Sequence, residues 1–107
     1  MLLSAISGCG RSGALITVLN QSPDTIHTVV LSGRGFSDTI PELAPAGSGA
    51  LRVRPRGESG LKVEFTAANR RILVPEQGYF ESCCGYVVLV AVDSALAVRV
   101  HTTLEQY

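Results

Sequence analysis

Apolar and polar residues alternate one for one in short runs along this chain, and that two-residue period is the strongest constraint on its fold. Leu61, Val63 and Phe65 alternate with Lys62, Glu64 and Thr66; Leu51 and Val53 with Arg52 and Arg54; Leu96, Val98 and Val100 with Ala97, Arg99 and His101. Successive side chains of an extended strand point to opposite faces, so each run turns one face to a core and the other to water. No segment carries a 3.6-residue apolar period with helix caps, and β-branched residues, Val above all, are abundant. Apolar segments begin near Ala14, Thr25, Ser37, Ala50, Leu61, Arg71, Tyr86 and Leu96, mostly ten to thirteen residues apart. That is the rhythm of a sandwich or barrel.

Turn residues punctuate the runs at Ser22-Pro23-Asp24, Gly33-Arg34-Gly35, Pro45 to Gly49, Pro55 to Gly60, Ala68-Asn69 and Asp93-Ser94. The five prolines are expected at strand ends or in loops, where a missing N–H breaks no ladder bond. Tyr86 to Val92 is apolar throughout, which predicts a central strand covered on both faces. The expected fold is all-β: a two-sheet antiparallel β-sandwich of seven or eight strands, occupying residues 14–107. A chain of 107 residues has room for one such core.

Nine basic and nine acidic residues cancel. A dedicated nucleic-acid binder needs a concentrated basic surface to displace phosphate counterions, so that class is set aside. Eight of the nine basic residues are Arg, which favours forked, bidentate contacts wherever a cationic surface forms. No apolar run approaches the roughly 20 residues a membrane-spanning helix requires.

Residues 1–8 run from apolar to small, as the tail of an export signal does, and none of them is basic. Ile6-Ser7-Gly8-Cys9 resembles the lipobox of bacterial lipoproteins. The resemblance implies a truncated export signal over 1–8, a diacylglycerol on the Cys9 sulfur, and cleavage before Cys9. In that family an Asp after the Cys retains the protein at the inner membrane. Gly10 stands there instead, which implies an outer-membrane lipoprotein facing the periplasm. Residues 9–13 then form the lipid-attachment site and tether, and four extended residues reach about 14 Å.

Three other pieces resemble the immunoglobulin-like modules of bacterial envelopes, of the cell-adhesion-related (CARDB) and fibronectin-III-like kind. They are the strand ending at Asn20, Leu43-Ala44-Pro45-Ala46-Gly47-Ser48, and Gly85-Tyr86 opening a strand that closes at Ala91-Val92-Asp93. Leu51 to Gly78 departs from the pattern with an additional hairpin, and the chain lacks Trp. The resemblance implies an Ig-like sandwich acting as a spacer or adhesion surface, with Tyr86 as a corner residue whose hydroxyl ties back to backbone.

Candidate sites follow from exposed chemistry. Arg52, Arg54 and Arg56 share one strand face, and Arg70 and Arg71 extend it if the neighbouring hairpin lies alongside. Such a stripe suits anionic lipid headgroups, lipopolysaccharide or an acidic partner; the other reading is a solvated face balanced by Glu58, Glu64 and Glu76. Pro75 to Gly85 is the longest non-periodic stretch and is expected to be a loop. Its Tyr79 and Phe80 either meet a protein partner or plug one end of the sandwich. Cys83 and Cys84 are the third feature. Neighbouring Cα atoms lie about 3.8 Å apart, below the usual disulfide range, so two free thiols on opposite sides of an extended segment are the first expectation. The alternative is a vicinal bridge acting as a redox or metal-responsive element.

No catalytic residues are expected. Ser59 in Gly57-Glu58-Ser59-Gly60 is no nucleophile elbow, and Gly33-Arg34-Gly35 opens no helix that would hold phosphate. His27 and His101 stand far from the cysteines in sequence, so neither a metal nor a cofactor is expected. The sequence reads as a non-catalytic lipoprotein domain that binds a protein partner or assists assembly at the outer membrane, with its membrane contact made through a lipid anchor.

Overall fold

The computed structural model describes residues 13–104, and there the alternating runs are strands. They are β1 (Ala14–Asn20), β2 (Ile26–Gly33), β3 (Phe36–Leu43), β4 (Ser48–Val53), β5 (Ser59–Ala67), β6 (Arg70–Phe80), β7 (Tyr86–Val92) and β8 (Val98–Leu104). Each begins within two residues of its expected start. Two four-stranded sheets result, ordered β4-β1-β7-β8 and β3-β2-β5-β6, and their apolar faces meet in a single core. The fold is an all-β sandwich.

Within each sheet, odd-numbered strands run one way and even-numbered strands the other. Two odd strands can therefore be neighbours only in parallel. β1 and β7 are such a pair, with Leu15 beside Val87 and Asn20 beside Val92. This is where the sheets depart from the all-antiparallel expectation.

The core is the inward half of every pleat. Ile16, Val18, Val88 and Val90 face Val29, Leu31, Leu61, Val63 and Phe65, and none is more than 1% exposed. Each such side chain contributes about 1.5–3 kcal/mol relative to solvent exposure. β2 carries a bulge between His27 and Val30, with Thr28 at φ 51°. The extra residue puts His27 and Thr28 outward in succession before the alternation resumes.

Three expectations are corrected here. β7 is hydrogen-bonded on both sides, but it is not covered on both faces, because Leu89 is 40% exposed. Pro41 and Pro75 lie inside β3 and β6 rather than beyond strand ends; both are edge strands, where a proline's missing donor faces no partner. β6 also continues through Phe80, so the expected loop from Pro75 shrinks to five residues, 81–85. Its pairing with β5 shifts register on both sides of Leu61, and Gly78 has φ 77°. Those irregularities erase the two-residue period over that stretch.

One end of the sandwich is closed by a buried side chain. Asn20 has no exposed surface, and its amide donates to the carbonyls of Asp24 (2.8 Å), Leu43 (3.0 Å) and Ala44 (3.2 Å). Its Oδ1 accepts from the Ser22 N–H (3.0 Å) and the Ser22 hydroxyl (2.7 Å). Asn20 ends β1 in one sheet and Leu43 ends β3 in the other, so this one carboxamide ties the sheets together. Replacing Asn20 by Ala leaves buried polar groups unpaired, at about 1–3 kcal/mol for such a loss. Urea denaturation of the Asn20→Ala variant should show a stability loss in that range with an unchanged slope. A loss below about 0.5 kcal/mol would contradict this role.

Candidate functional site

The chemistry gathers at the opposite end, where β1 begins and β4 finishes. Arg52 lies opposite Leu15 in the β1–β4 register, and Arg54 and Arg56 follow as the chain leaves β4. All three are exposed, and among the described residues none of them is in a salt bridge. The alternation that faces Val53 inward also turns Arg52 and Arg54 outward.

Gly13 is seated between two of these stems. A Cβ there would come within 3.3 Å of both Arg52 Cγ and Arg54 Cγ, and 2.7 Å from the Val53 carbonyl oxygen, so only glycine lets the chain enter β1 at this point. A fourth arginine joins the row from the β2–β3 hairpin. The Arg56 N–H donates to the Arg34 carbonyl at 2.9 Å, and Gly35, at φ 83°, lies where a Cβ would collide with the Arg56 stem at 2.6 Å. Arg34 is exposed as well. In sequence Gly33-Arg34-Gly35 reads only as a turn.

Arg70 and Arg71 do not extend this row. They follow the Ala68-Asn69 turn at the end of β5, level with His27, and that is the Asn20 end of the molecule. Arg71 is ion-paired with Glu64. Strand spacing shows which face a residue takes, whereas the end of the sandwich it reaches depends on strand direction.

Two of the three suggested carboxylate counterweights, Glu64 and Glu76, are engaged elsewhere, and Glu58 makes no salt bridge among the described residues. Glu64 holds Arg71, and Glu76 accepts the Gly60 N–H at 3.0 Å. Ser59 is buried. Its hydroxyl accepts the Arg34 N–H at 3.0 Å and donates to the Gly60 carbonyl at 2.7 Å. It therefore fixes the hairpin that presents Arg34.

The short loop 81–85 lies against the arginine row. The Ser82 hydroxyl donates to the Pro55 carbonyl at 3.0 Å, and the Gly13 N–H donates to the Ser82 carbonyl. Cys83 and Cys84 are exposed and joined by a disulfide, their Cα atoms 3.7 Å apart. The expectation of two free thiols on an extended segment is thereby corrected. The segment is a turn, with Cys84 and Gly85 both at φ 78°, so the side chains are not sent to opposite sides. Among the described residues no group of three or more His, Cys, Asp or Glu is placed to hold a metal ion.

Tyr79 and Phe80 separate, as adjacent strand residues do. Phe80 is fully buried against Phe36, with ring centroids 6.0 Å apart, and is removed from the candidate partner surface. Tyr79 is 44% exposed, hydrogen-bonded to Glu81 and edge-on to Tyr86 at 6.1 Å. Tyr86 makes no side-chain hydrogen bond to backbone among the described residues, so the corner contact implied by the Ig-like resemblance is not found there. Cys9 and residues 1–8 lie outside the described residues.

The two outer sheet faces differ in charge. The β3-β2-β5-β6 sheet carries both ion pairs seen among the described residues, His27–Glu42 and Arg71–Glu64. The outward register positions of β1 and β7 in the other sheet are Leu15, Thr17, Leu19, Val87, Leu89 and Ala91. Arg52 borders them on β4 and Arg99 and His101 on β8, and no outward position described on that face is acidic.

No protein-family model matches the chain, and no curated protein matches it. Among solved structures it is similar to a protein from Eubacterium rectale determined by NMR, at 18% identity, over 91% of this chain and 94% of that one, with a TM-score of 0.58. That likeness shows a shared fold. A sugar-binding protein, pneumolysin, overlays at 9% identity over 88% of this chain and 24% of its own length, with a TM-score of 0.45.

The hydrogen bond to Glu81 holds the Tyr79 proton and pushes its pKa from 10.0 up to about 12, with desolvation and the Glu58 charge adding to the effect. A folded pKa above the unfolded one favours the native state below pH 10, and that contribution fades as pH rises through 12. Ultraviolet titration should show one tyrosine ionising near pH 12, returning toward 10 in Glu81→Gln. A wild-type titration with every tyrosine near 10 would contradict the contact.

Proposed function

We propose that this chain is a non-catalytic, lipid-anchored accessory domain of the bacterial envelope, an Ig-like sandwich whose arginine end rests on an anionic headgroup surface. The observation that carries the reading is the row Arg52, Arg54 and Arg56, exposed and without carboxylate partners among the described residues, with Gly13 between two of its stems. Cys9, the lipid-attachment residue of the lipobox resemblance, precedes Gly13 by four residues. Four residues reach at most about 14 Å, so an anchor at Cys9 would keep the domain's near end at the bilayer. The near end is the arginine end.

Magnitudes support a division of labour. An arginine near an anionic surface contributes about 1 kcal/mol, so the row contributes about 3–4 kcal/mol, too little for durable attachment alone. Two or three acyl chains supply the durable part, and the arginines orient the domain. On this reading the outer membrane is the attachment site and the domain faces the periplasm. Guanidinium groups fit phosphate oxygens bidentately, which suits lipid and lipopolysaccharide phosphates alike.

The test uses the full chain without acylation, as Cys9→Ala, and vesicles of phosphatidylcholine with or without phosphatidylglycerol. Cosedimentation should require the anionic lipid, weaken with added salt, and fall about 100-fold in R52Q/R54Q/R56Q. Mass spectrometry of the wild-type precursor expressed in a lipoprotein-processing bacterium should find acyl chains on Cys9. Binding indifferent to lipid charge and to the three substitutions would overturn the reading. It would leave the apolar, cation-rimmed outer face of β1 and β7 as the surface for an acidic protein partner.

A further inference from the structure

We infer that Cys83–Cys84 is a thiol-exchange site, opened by a dithiol reductant, whose redox state sets the conformation of the arginine-bearing segment 54–56. A disulfide that acts as a staple closes a long loop, and its effect on the unfolded chain grows with the length of that loop. This bridge joins adjacent residues and links no two strands. Its effect is local. What it constrains is the turn of the β6–β7 connection, where Cys84 has the left-handed backbone that side-chain-bearing residues rarely adopt.

Exchange requires access, and both cysteines are exposed on a five-residue loop at the rim of the sandwich. A thiolate of the reductant attacks one sulfur of the pair, and the Cys83–Cys84 bond breaks as a mixed disulfide forms. The reductant's second thiolate then displaces the protein sulfur and closes as a cyclic disulfide. Two electrons pass to the pair, which takes up two protons and becomes two thiols; the dithiol is oxidised by the same two electrons. With the ring opened, Cys84 is free to leave the left-handed region.

The consequence reaches the arginines through Ser82. Its hydroxyl holds the Pro55 carbonyl, between Arg54 and Arg56, and its own carbonyl takes the Gly13 N–H, between Arg52 and Arg54. A turn that relaxes one residue away moves both ties. Asn20, Val63 and Phe65, which pair away from the loop, should stay in place.

The experiment uses the full chain as Cys9→Ala, so that only the pair reports, and needs no membrane; its outcome is independent of vesicle binding. Without reductant, an alkylating reagent should label no thiols. With millimolar dithiothreitol and no denaturant, two should be labelled within minutes. Reduction should shift the amide resonances of Gly13, Arg54, Arg56 and Ser82 and leave Asn20, Val63 and Phe65 unmoved. The C83S/C84S variant should show the reduced positions of Gly13, Arg54 and Arg56 without any reductant, and its melting temperature should lie within about 4 °C of the oxidised protein. Two thiols labelled before reduction, a pair that opens only in denaturant, or Arg54 and Arg56 resonances unmoved by reduction would each overturn the inference.

Discussion

Each sheet of this domain buries one apolar face, and the burial of those two faces against each other is the constraint from which the remaining structure follows. A four-stranded sheet with one apolar face has nowhere to put it except against another sheet. The inward residues of β1, β2, β5 and β7 therefore meet in one cluster, and the strands outside them, β3, β4, β6 and β8, become edges. Edges are where the chain places its two in-strand prolines and where β4 ends in its run of arginines.

The two ends of the sandwich do different work. At one end the Asn20 carboxamide gathers the end of β1, the start of β2 and the exit from β3, with every donor and acceptor occupied. At the other end the arginine side chains are in no salt bridge among the described residues. Arg34, Arg52, Arg54 and Arg56 face water, Gly13 threads between two of them, and the Cys83–Cys84 turn leans on the same segment through Ser82. Polar groups that close a fold are consumed by closing it. Those at the open end remain available for binding.

Strand existence was legible because a two-residue period and a β-rich composition have one structural outcome on this length of chain. Tyr86 to Val92 misled because composition reports how apolar a strand is and not how many of its faces are covered; Leu15, Leu19 and Leu89 instead build an apolar outer face. The Pro75–Phe80 segment looked like a loop because a bulge and a left-handed Gly78 broke its period, and that hid the rule that Tyr79 and Phe80 must point apart. Neither the place of Arg34 beside Arg56 nor the end at which Arg70 and Arg71 lie is legible in the sequence, for one reason. Proximity across strands depends on direction and register, which no single run of residues encodes. The bridge between Cys83 and Cys84 is not legible in the sequence because spacing alone implies an extended backbone where the chain turns.

The account rests on both sheets sharing one core, and native-state hydrogen exchange tests that most directly. Amides of β1, β2, β5 and β7, hydrogen-bonded on both sides, should be the slowest and should exchange together at the free energy of global unfolding. Those of the edge strands should exchange faster. If the β4-β1-β7-β8 sheet opened at a free energy well below that of the β3-β2-β5-β6 sheet, the shared core would be contradicted, and the positioning of the arginine end would lose its foundation.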